Sequence, residues 1–398
     1  MSVYLFATLD TKGPEAAFVR DCMKELGVDV TVVDTGCIGE PSFDGDVTRT
    51  ELFAAAGTSL DEMVALNDRG AAVTNAAKGA AAIVTAAFKE QQVDGVFALG
   101  GSAGTTIGTA AMQALPIGVP KLMVSTLASG DVRQWVGDKD IMMLNSVVDI
   151  AGINRVSRQI LGNAAAAMAG MVQHRLGESS DDKLLVAATM FGVTTPCVQK
   201  AREVLEAAGC EVLVFHATGN GGQAMESLIR DGLIAGVLDI TTTELADEIV
   251  GGVLTAGPDR LTAAAAKGVP QVVSVGATDM VNFWAPDTIP QEFKDRRFHE
   301  HNPTVTLMRT TADENAKVGA EIGRKVAATT GPAAIMLPLQ GVSAIDRAGE
   351  SFDDPQAREA LFAAVRENHG NVELIECDHH INDDAFAEAA ANKLIDIM

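Results

Sequence analysis

The sequence predicts an α/β fold made of two doubly wound, Rossmann-like parallel-sheet domains, and three observations carry that expectation. Short apolar runs such as Val3-Tyr4-Leu5-Phe6-Ala7 alternate with helical stretches, as expected of parallel strands covered on both faces by crossover helices. The pattern then repeats. Leu184-Leu185-Val186-Ala187-Ala188-Thr189 echoes the first strand, Glu211-Val212-Leu213-Val214-Phe215-His216 echoes the second, and Gly268-Val269-Pro270-Gln271 echoes Gly118-Val119-Pro120-Lys121. This reads as an internal duplication, and 398 residues are enough for two such cores.

Each element follows from local pattern. The first strand stops at Thr8-Leu9-Asp10-Thr11-Lys12-Gly13, and from Pro14 to Leu26 the residues Phe18, Cys22 and Leu26 recur at helical spacing. Gly27 ends that helix, and Val28-Asp29-Val30-Thr31-Val32-Val33-Asp34 supplies the second strand, completing a βαβ unit. Residues 60–92 read as one alanine-rich helix, 95–99 as a strand, 104–115 as a helix and 119–125 as a strand. An excursion over residues 35–93 has no counterpart in the second half. After an alanine-rich helix over 153–176, the polar stretch Gly177-Glu178-Ser179-Ser180-Asp181-Asp182 marks the boundary, giving domains 1–178 and 179–398. Residues 304–308 read as a further strand of the second parallel sheet.

Composition narrows the function classes. With 30 Lys and Arg against 53 Asp and Glu, the net charge of −23 opposes nucleic acid and anionic membrane surfaces. Five cysteines form no metal or redox motif and no secretory signal opens the chain, so reduced thiols in a cytoplasm are expected. The uncharged stretch 95–120 is broken by glycines and prolines and cannot span a membrane as a helix.

Ligands of open parallel sheets bind outside the carboxyl ends of the strands. Gly100-Gly101-Ser102-Ala103-Gly104-Thr105 leaves a strand and opens a helix, where free N–H groups and the positive helix end suit a phosphate. The neighbouring exit brings Asp10, Thr11 and Lys12, an ammonium for phosphate and a carboxylate for a metal or sugar hydroxyl; the turn holding Ser129 and Gly130 adds further donors. In the second half, Gly219, Gly221 and Gly222 repeat the glycine device, Glu226 follows, Thr241, Thr242, Thr243 and Glu244 leave another strand, and Arg309 leaves the strand 304–308. Together these predict a second site for a small anionic metabolite, with Arg309 as its clamp and Glu226 or Glu244 as acid or base. The pairs His299/His301 and His379/His380 lack the spacing of a metal site and read as surface or capping residues.

Five segments together resemble the Tm-1-like ATP-binding family, the UPF0261 group: Ala7-Thr8-Leu9-Asp10-Thr11-Lys12, the loop 100–105, His216-Ala217-Thr218-Gly219-Asn220-Gly221-Gly222, Thr241-Thr242-Thr243-Glu244-Leu245-Ala246-Asp247-Glu248, and His301-Asn302-Pro303-Thr304-Val305-Thr306-Leu307-Met308-Arg309. Ala103 stands where similar proteins often have glycine. The resemblance implies a two-domain ATP-binding protein, with ATP and Mg2+ held by the first domain through the loops at 10–12 and 100–105. It also implies a homodimer or higher homo-oligomer. Two other readings stay open: an enzyme acting on a small phosphorylated or carboxylated metabolite between the domains, and a protein-interaction module for which ATP is structural.

Overall fold

The computed structural model describes residues 2–174 and 183–398, and the chain divides into two compact units, Met1–Glu178 and Ser179–Met398. The polar stretch 177–182 lies outside the described residues.

The first unit runs β1 (Ser2–Ala7), α1 (Leu9–Glu25), β2 (Asp29–Asp34), α2 (Arg49–Ala55), α3 (Leu60–Leu66), α4 (Arg69–Lys89), β3 (Gly95–Gly100), α5 (Ser102–Gln113), β4 (Lys121–Ser125), α6 (Arg133–Val136), β5 (Met142–Asn145) and α7 (Arg155–Gln173). Its five strands lie in the order β2-β1-β3-β4-β5, every pairing parallel. Alternation along β1 sends Val3, Leu5 and Ala7 to the core beneath α1 and α7, and Tyr4 and Phe6 to the core beneath α4 and α5.

The second unit continues with β6 (Leu185–Met190), α8 (Thr195–Ala207), β7 (Glu211–His216), α9 (Asn220–Arg230), β8 (Gly236–Thr241), α10 (Thr243–Val250), α11 (Ala263–Lys267), β9 (Gln271–Gly276), β10 (Met280–Phe283), β11 (Phe298–Asn302), β12 (Val305–Arg309), α12 (Ala312–Ala327), β13 (Ala333–Pro338), α13 (Pro355–Asn368), β14 (Glu373–Cys377) and α14 (Asp384–Ile397). Its six-stranded sheet has the order β14-β13-β9-β8-β6-β7, again parallel throughout. Read from the other edge, β7-β6-β8-β9-β13 reproduces the order of the first sheet. The two units are thus doubly wound in the same sense, with β4 and β9 as the repeat of Gly-Val-Pro strands.

Two local expectations are corrected and one is extended. The helix expected from Pro14 is preceded by a separate helical turn at Leu9, whose N–H donates to the Asp34 carboxylate at the end of β2 (3.1 Å); the chain breaks at non-helical Lys12, φ −129°, and the helix proper follows with Pro14 in its first turn, where the missing N–H is tolerated. The helix over 60–92 is two helices, interrupted where Asn67 turns left-handed (φ 47°) and Asp68 caps the next helix by accepting from the Gly70 and Ala71 N–H groups. Residues 304–308 do not join the parallel sheet. They form β12, antiparallel to β10 and β11 in a separate three-stranded sheet, since the tight turn at Pro303-Thr304 leaves no room for a parallel crossover.

Among the described residues, α4 is long and apolar enough by composition to cross a membrane. Here Ala72, Ala76, Gly79, Ala80, Val84 and Ala87 are buried in the unit.

Candidate functional site

In the first sheet the chain winds one way from β1 to β2 and the other way from β1 to β3, so the topological switch point lies between the ends of β1 and β3. A cavity of about 560 Å3 opens there, lined by the β1 exit (Thr8 to Lys12), the β2 exit (Thr35 to Ile38), α3 and α4, the β3 exit (Gly100 to Gly104) and Asp149.

Three helices begin around it, and two are closed by the protein's own carboxylates. Asp34 takes the first N–H of α1, and Asp68 takes two of α4 (2.8 and 3.1 Å). Helix α5 has no side-chain cap. Its first N–H groups, which no helix can satisfy internally, therefore face the cavity with the positive end of the helix dipole.

The glycines of this turn have separate jobs. Gly100 has φ +157°, and a Cβ there would meet the Gly104 Cα at 2.9 Å, while a Cβ on Gly104 would meet the Leu99 carbonyl oxygen at 2.9 Å; this pair brings helix and strand together. A Cβ on Gly101 would meet only Thr126 Oγ1, at 3.7 Å. Thr105 is buried behind the cavity, and its hydroxyl bonds the Gly101 carbonyl (2.8 Å) and the Ser125 hydroxyl (2.7 Å), fixing α5 to β4.

Lys12 and Arg69 are the cations in the lining, and neither side chain has a hydrogen-bond or ion-pair partner among the described residues. Asp10 does not stand free: its Oδ2 accepts from Ile38 N (2.9 Å) and Gly39 N (3.3 Å), while Oδ1 is buried without a partner. Asp34 accepts also from Gly36 N (2.9 Å); burial raises its carboxyl above the usual range against the pull of these N–H groups. Burial, reinforced by Asp10 and Asp34, likewise raises the Cys37 thiol, so it is protonated and a poor nucleophile at neutral pH.

The structure thus brings Asp10, Thr11, Lys12, Gly100, Gly101, Ser102 and Gly104 around one cavity. Thr105 supports it from behind. Ser129 and Gly130 are exposed in the turn after β4 and lie outside the lining.

The equivalent position in the second unit is filled by protein. Counting from the starts of β3 and β8, Gly100-Gly101-Ser102-Ala103 corresponds to Thr241-Thr242-Thr243-Glu244. The Glu244 carboxylate occupies the space beside Gly222 and accepts from Gly219 N (2.7 Å), Gly222 N (3.1 Å) and Arg260 Nε (2.6 Å). Arg260, with no exposed surface, also donates to both oxygens of Asp239 (2.5 and 2.7 Å). Glu226 accepts from Leu261 N, from Ala263 N (2.8 Å) and from Arg260 (3.4 Å). Burial raises the Glu244 carboxyl and Arg260 pulls it back. Thr241 and Thr242 are buried and bonded to strand carbonyls, and the hydroxyl of Thr243 to Asn282.

Arg309 belongs to the antiparallel sheet, and its guanidinium is consumed internally, donating to the carbonyls of Phe352 (2.8 Å) and Asp279 (3.2 Å), to Thr310 and to Asp346 Oδ1 (3.3 Å). It braces the fold instead of facing a ligand. His299 bonds Ser351 (3.2 Å) and His380 is buried against the Ser343 carbonyl (2.8 Å). Among the described residues no group of three His, Cys, Asp or Glu side chains could hold a metal ion.

Sequence reasoning missed Asp149, Arg69 and the apolar wall of Met63, Val64, Val73 and Ala76. For Arg69 and the apolar wall the one signal was the long excursion before β3; Asp149, after β5, had none. It also missed Arg260, whose signal was Asp239, a carboxylate inside an otherwise apolar strand, which requires a buried counter-ion.

Residues 1–177 match the model of the Uncharacterised protein family (UPF0261) N-terminal domain, and residues 183–398 match that of its C-terminal domain. A UPF0261 protein of Clostridium tetani is 50% identical, covering 100% of this chain and 98% of that protein. The ToMV resistance protein Tm-1(GCR237) of Solanum lycopersicum is 42% identical over 99% of this chain, which spans 55% of that longer protein. Among solved structures, the UDP-GlcNAc 2-epimerase of Methanocaldococcus jannaschii in complex with UDP-GlcNAc and UDP aligns at 8% identity and a TM-score of 0.22, covering 100% of this chain and 99% of that one. The chain belongs to the UPF0261 family and is related over both of its units to the tomato Tm-1 proteins.

Proposed function

We propose that the N-terminal unit binds ATP with Mg2+ at the crevice between β1 and β3. The observation that carries this reading is the contrast between α5, which opens uncapped onto the cavity, and the neighbouring α1 and α4, whose first N–H groups are already taken by Asp34 and Asp68. A phosphate chain would supply the missing acceptors at Ser102, Ala103 and Gly104, with Lys12 and Arg69 as counter-charges. In a chain of net charge −23, an anion needs such local compensation.

Met63, Val64, Val73, Ala76 and Ile107 give the cavity an apolar wall suited to the flat face of a base. Mg2+ keeps several waters and is commonly held by substrate phosphates plus one or two carboxylates. Asp149 and the unpartnered Asp10 Oδ1 are the carboxylate oxygens that fit this role. The five free cysteines support a reducing, cytoplasmic setting.

Calorimetric titration of ATP and Mg2+ into the wild type and Gly101→Val tests the reading. A Cβ at this position meets only Thr126 Oγ1, at 3.7 Å, so a side chain can be added there without displacing backbone, yet the branched valine removes the close approach of a phosphate to the backbone. The expected outcome is a loss of affinity of about a hundredfold or more with an unchanged thermal midpoint. Equal affinities would take the glycine turn out of the site.

A further inference from the structure

Helices of globular proteins are held by a buried apolar face, and that of α3 is thin: none of its seven residues is fully buried. It leans on the core through partly buried Leu60 and Met63, while Val64 and Leu66 are each 56% exposed. Left-handed backbone marks both of its borders, at Gly57 (φ 81°) and Asn67 (φ 47°). Between them the helix holds itself together, since Ser59 and Glu62 form a reciprocal capping box. Met63, Val64 and Asn67 line the cavity.

The β2 exit, which also borders the cavity, is built differently. Its backbone is pinned by Asp10 at Ile38 and Gly39, by Asp34 at Gly36 and by Arg49 at the Gly39 carbonyl. Yet its Ile38 side chain is 81% exposed. One cavity mouth therefore carries a fixed apolar lip, Ile38, and a loosely seated helix presenting Val64 and Leu66 to water.

We propose that residues 57–68 are a lid that swings on Gly57 and Asn67 and closes over the occupied cavity, moving Val64 towards Ile38 and sequestering the ligand from water. Water is costly to both apolar lips in the open form, and closure relieves that cost only when a ligand fills the space between them. This rests on the reading that the cavity binds ATP.

Amide hydrogen exchange of the full chain, with and without saturating ATP and Mg2+, tests the lid, with calorimetry on the same preparation. The amides of residues 60–66 should exchange at least about tenfold more slowly with ligand, while those of Gly36 and Ile38 change by less than about twofold. Val64→Ser should raise the ATP dissociation rate about tenfold and leave the thermal midpoint of the ligand-free protein unchanged, because the side chain is half exposed when open. Binding by calorimetry with unaltered exchange at 60–66 would overturn the lid and leave the binding reading standing. A lowered ligand-free midpoint with an unchanged dissociation rate would make α3 a structural element and overturn it too. Absence of ATP binding would overturn both.

Discussion

Arg260 faces three carboxylates with no exposed surface of its own. Removing one partner of a buried ion network leaves uncompensated charge, which costs about 3–5 kcal/mol. Arg260→Met should therefore lower the unfolding free energy by about that amount in urea melts, and Arg260→Lys should restore little of it, because a single ammonium cannot serve Asp239 bidentately and Glu244 together; full rescue by lysine would contradict this geometry. Asp279 is a second buried carboxylate, with Oδ2 bonded to Ser343 (2.8 Å) and Oδ1 unpartnered. Burial, with the nearby Asp346 charge, pushes its pKa up to about 7. Since the unfolded value is about 3.8, the folded state binds the proton more tightly. The stability this proton contributes is complete below about pH 4 and is lost as pH rises to about 7. Asp279→Asn should flatten that decline and be more stable than the wild type at pH 8. Melts at pH 5 and pH 8 decide the matter, and an unaltered pH slope in the variant would rule out Asp279 as the titrating group.

At the scale of elements, the strands and the strand-glycine-helix turns were legible because buried parallel strands and helix starts have local signatures. The β11–β12 hairpin was not, since Val305 to Arg309 reads as a buried strand in any sheet and only its short turn reveals the antiparallel partner. That misreading moved Arg309 to a ligand edge it does not occupy. The glycine turn at α5 was legible as a turn, but its division of labour needed coordinates. A Cβ on Gly104 would run into the Leu99 carbonyl, whereas one on Gly101 would make only an ordinary contact with Thr126 Oγ1 at 3.7 Å, so Gly104→Ala should cost about 1–3 kcal/mol through forced backbone shifts, while Gly101→Ala should be close to neutral in thermal melts. Equal destabilisation by both would show that the turn is constrained by packing at Gly101 as well.

At the scale of the whole molecule, the connection after the second strand is where the two units diverge at the switch point. Between β2 and β3 the chain runs from residue 35 to 94 and builds α2, α3 and α4, whereas between β7 and β8 it runs only from 217 to 235 and builds α9. The long connection walls a cavity over the first switch point; at the second, Glu244 and Arg260 fill the crevice. The excursion was visible in the sequence as added length, but its effect was not, because a wall is defined by what it faces. All residues lining the cavity fall between Thr8 and Asp149, and the first unit has two hydrophobic cores drawn wholly from its own residues. A fragment of residues 1–177 should therefore unfold cooperatively on heating and bind ATP with an affinity within about fivefold of the full chain, since a domain with its own core can fold alone. Calorimetry on the folded fragment checks this. A fragment that melts cooperatively but has lost ATP binding would mean that the nucleotide also requires residues of the second unit, and the proposed site would have to be redrawn to include them.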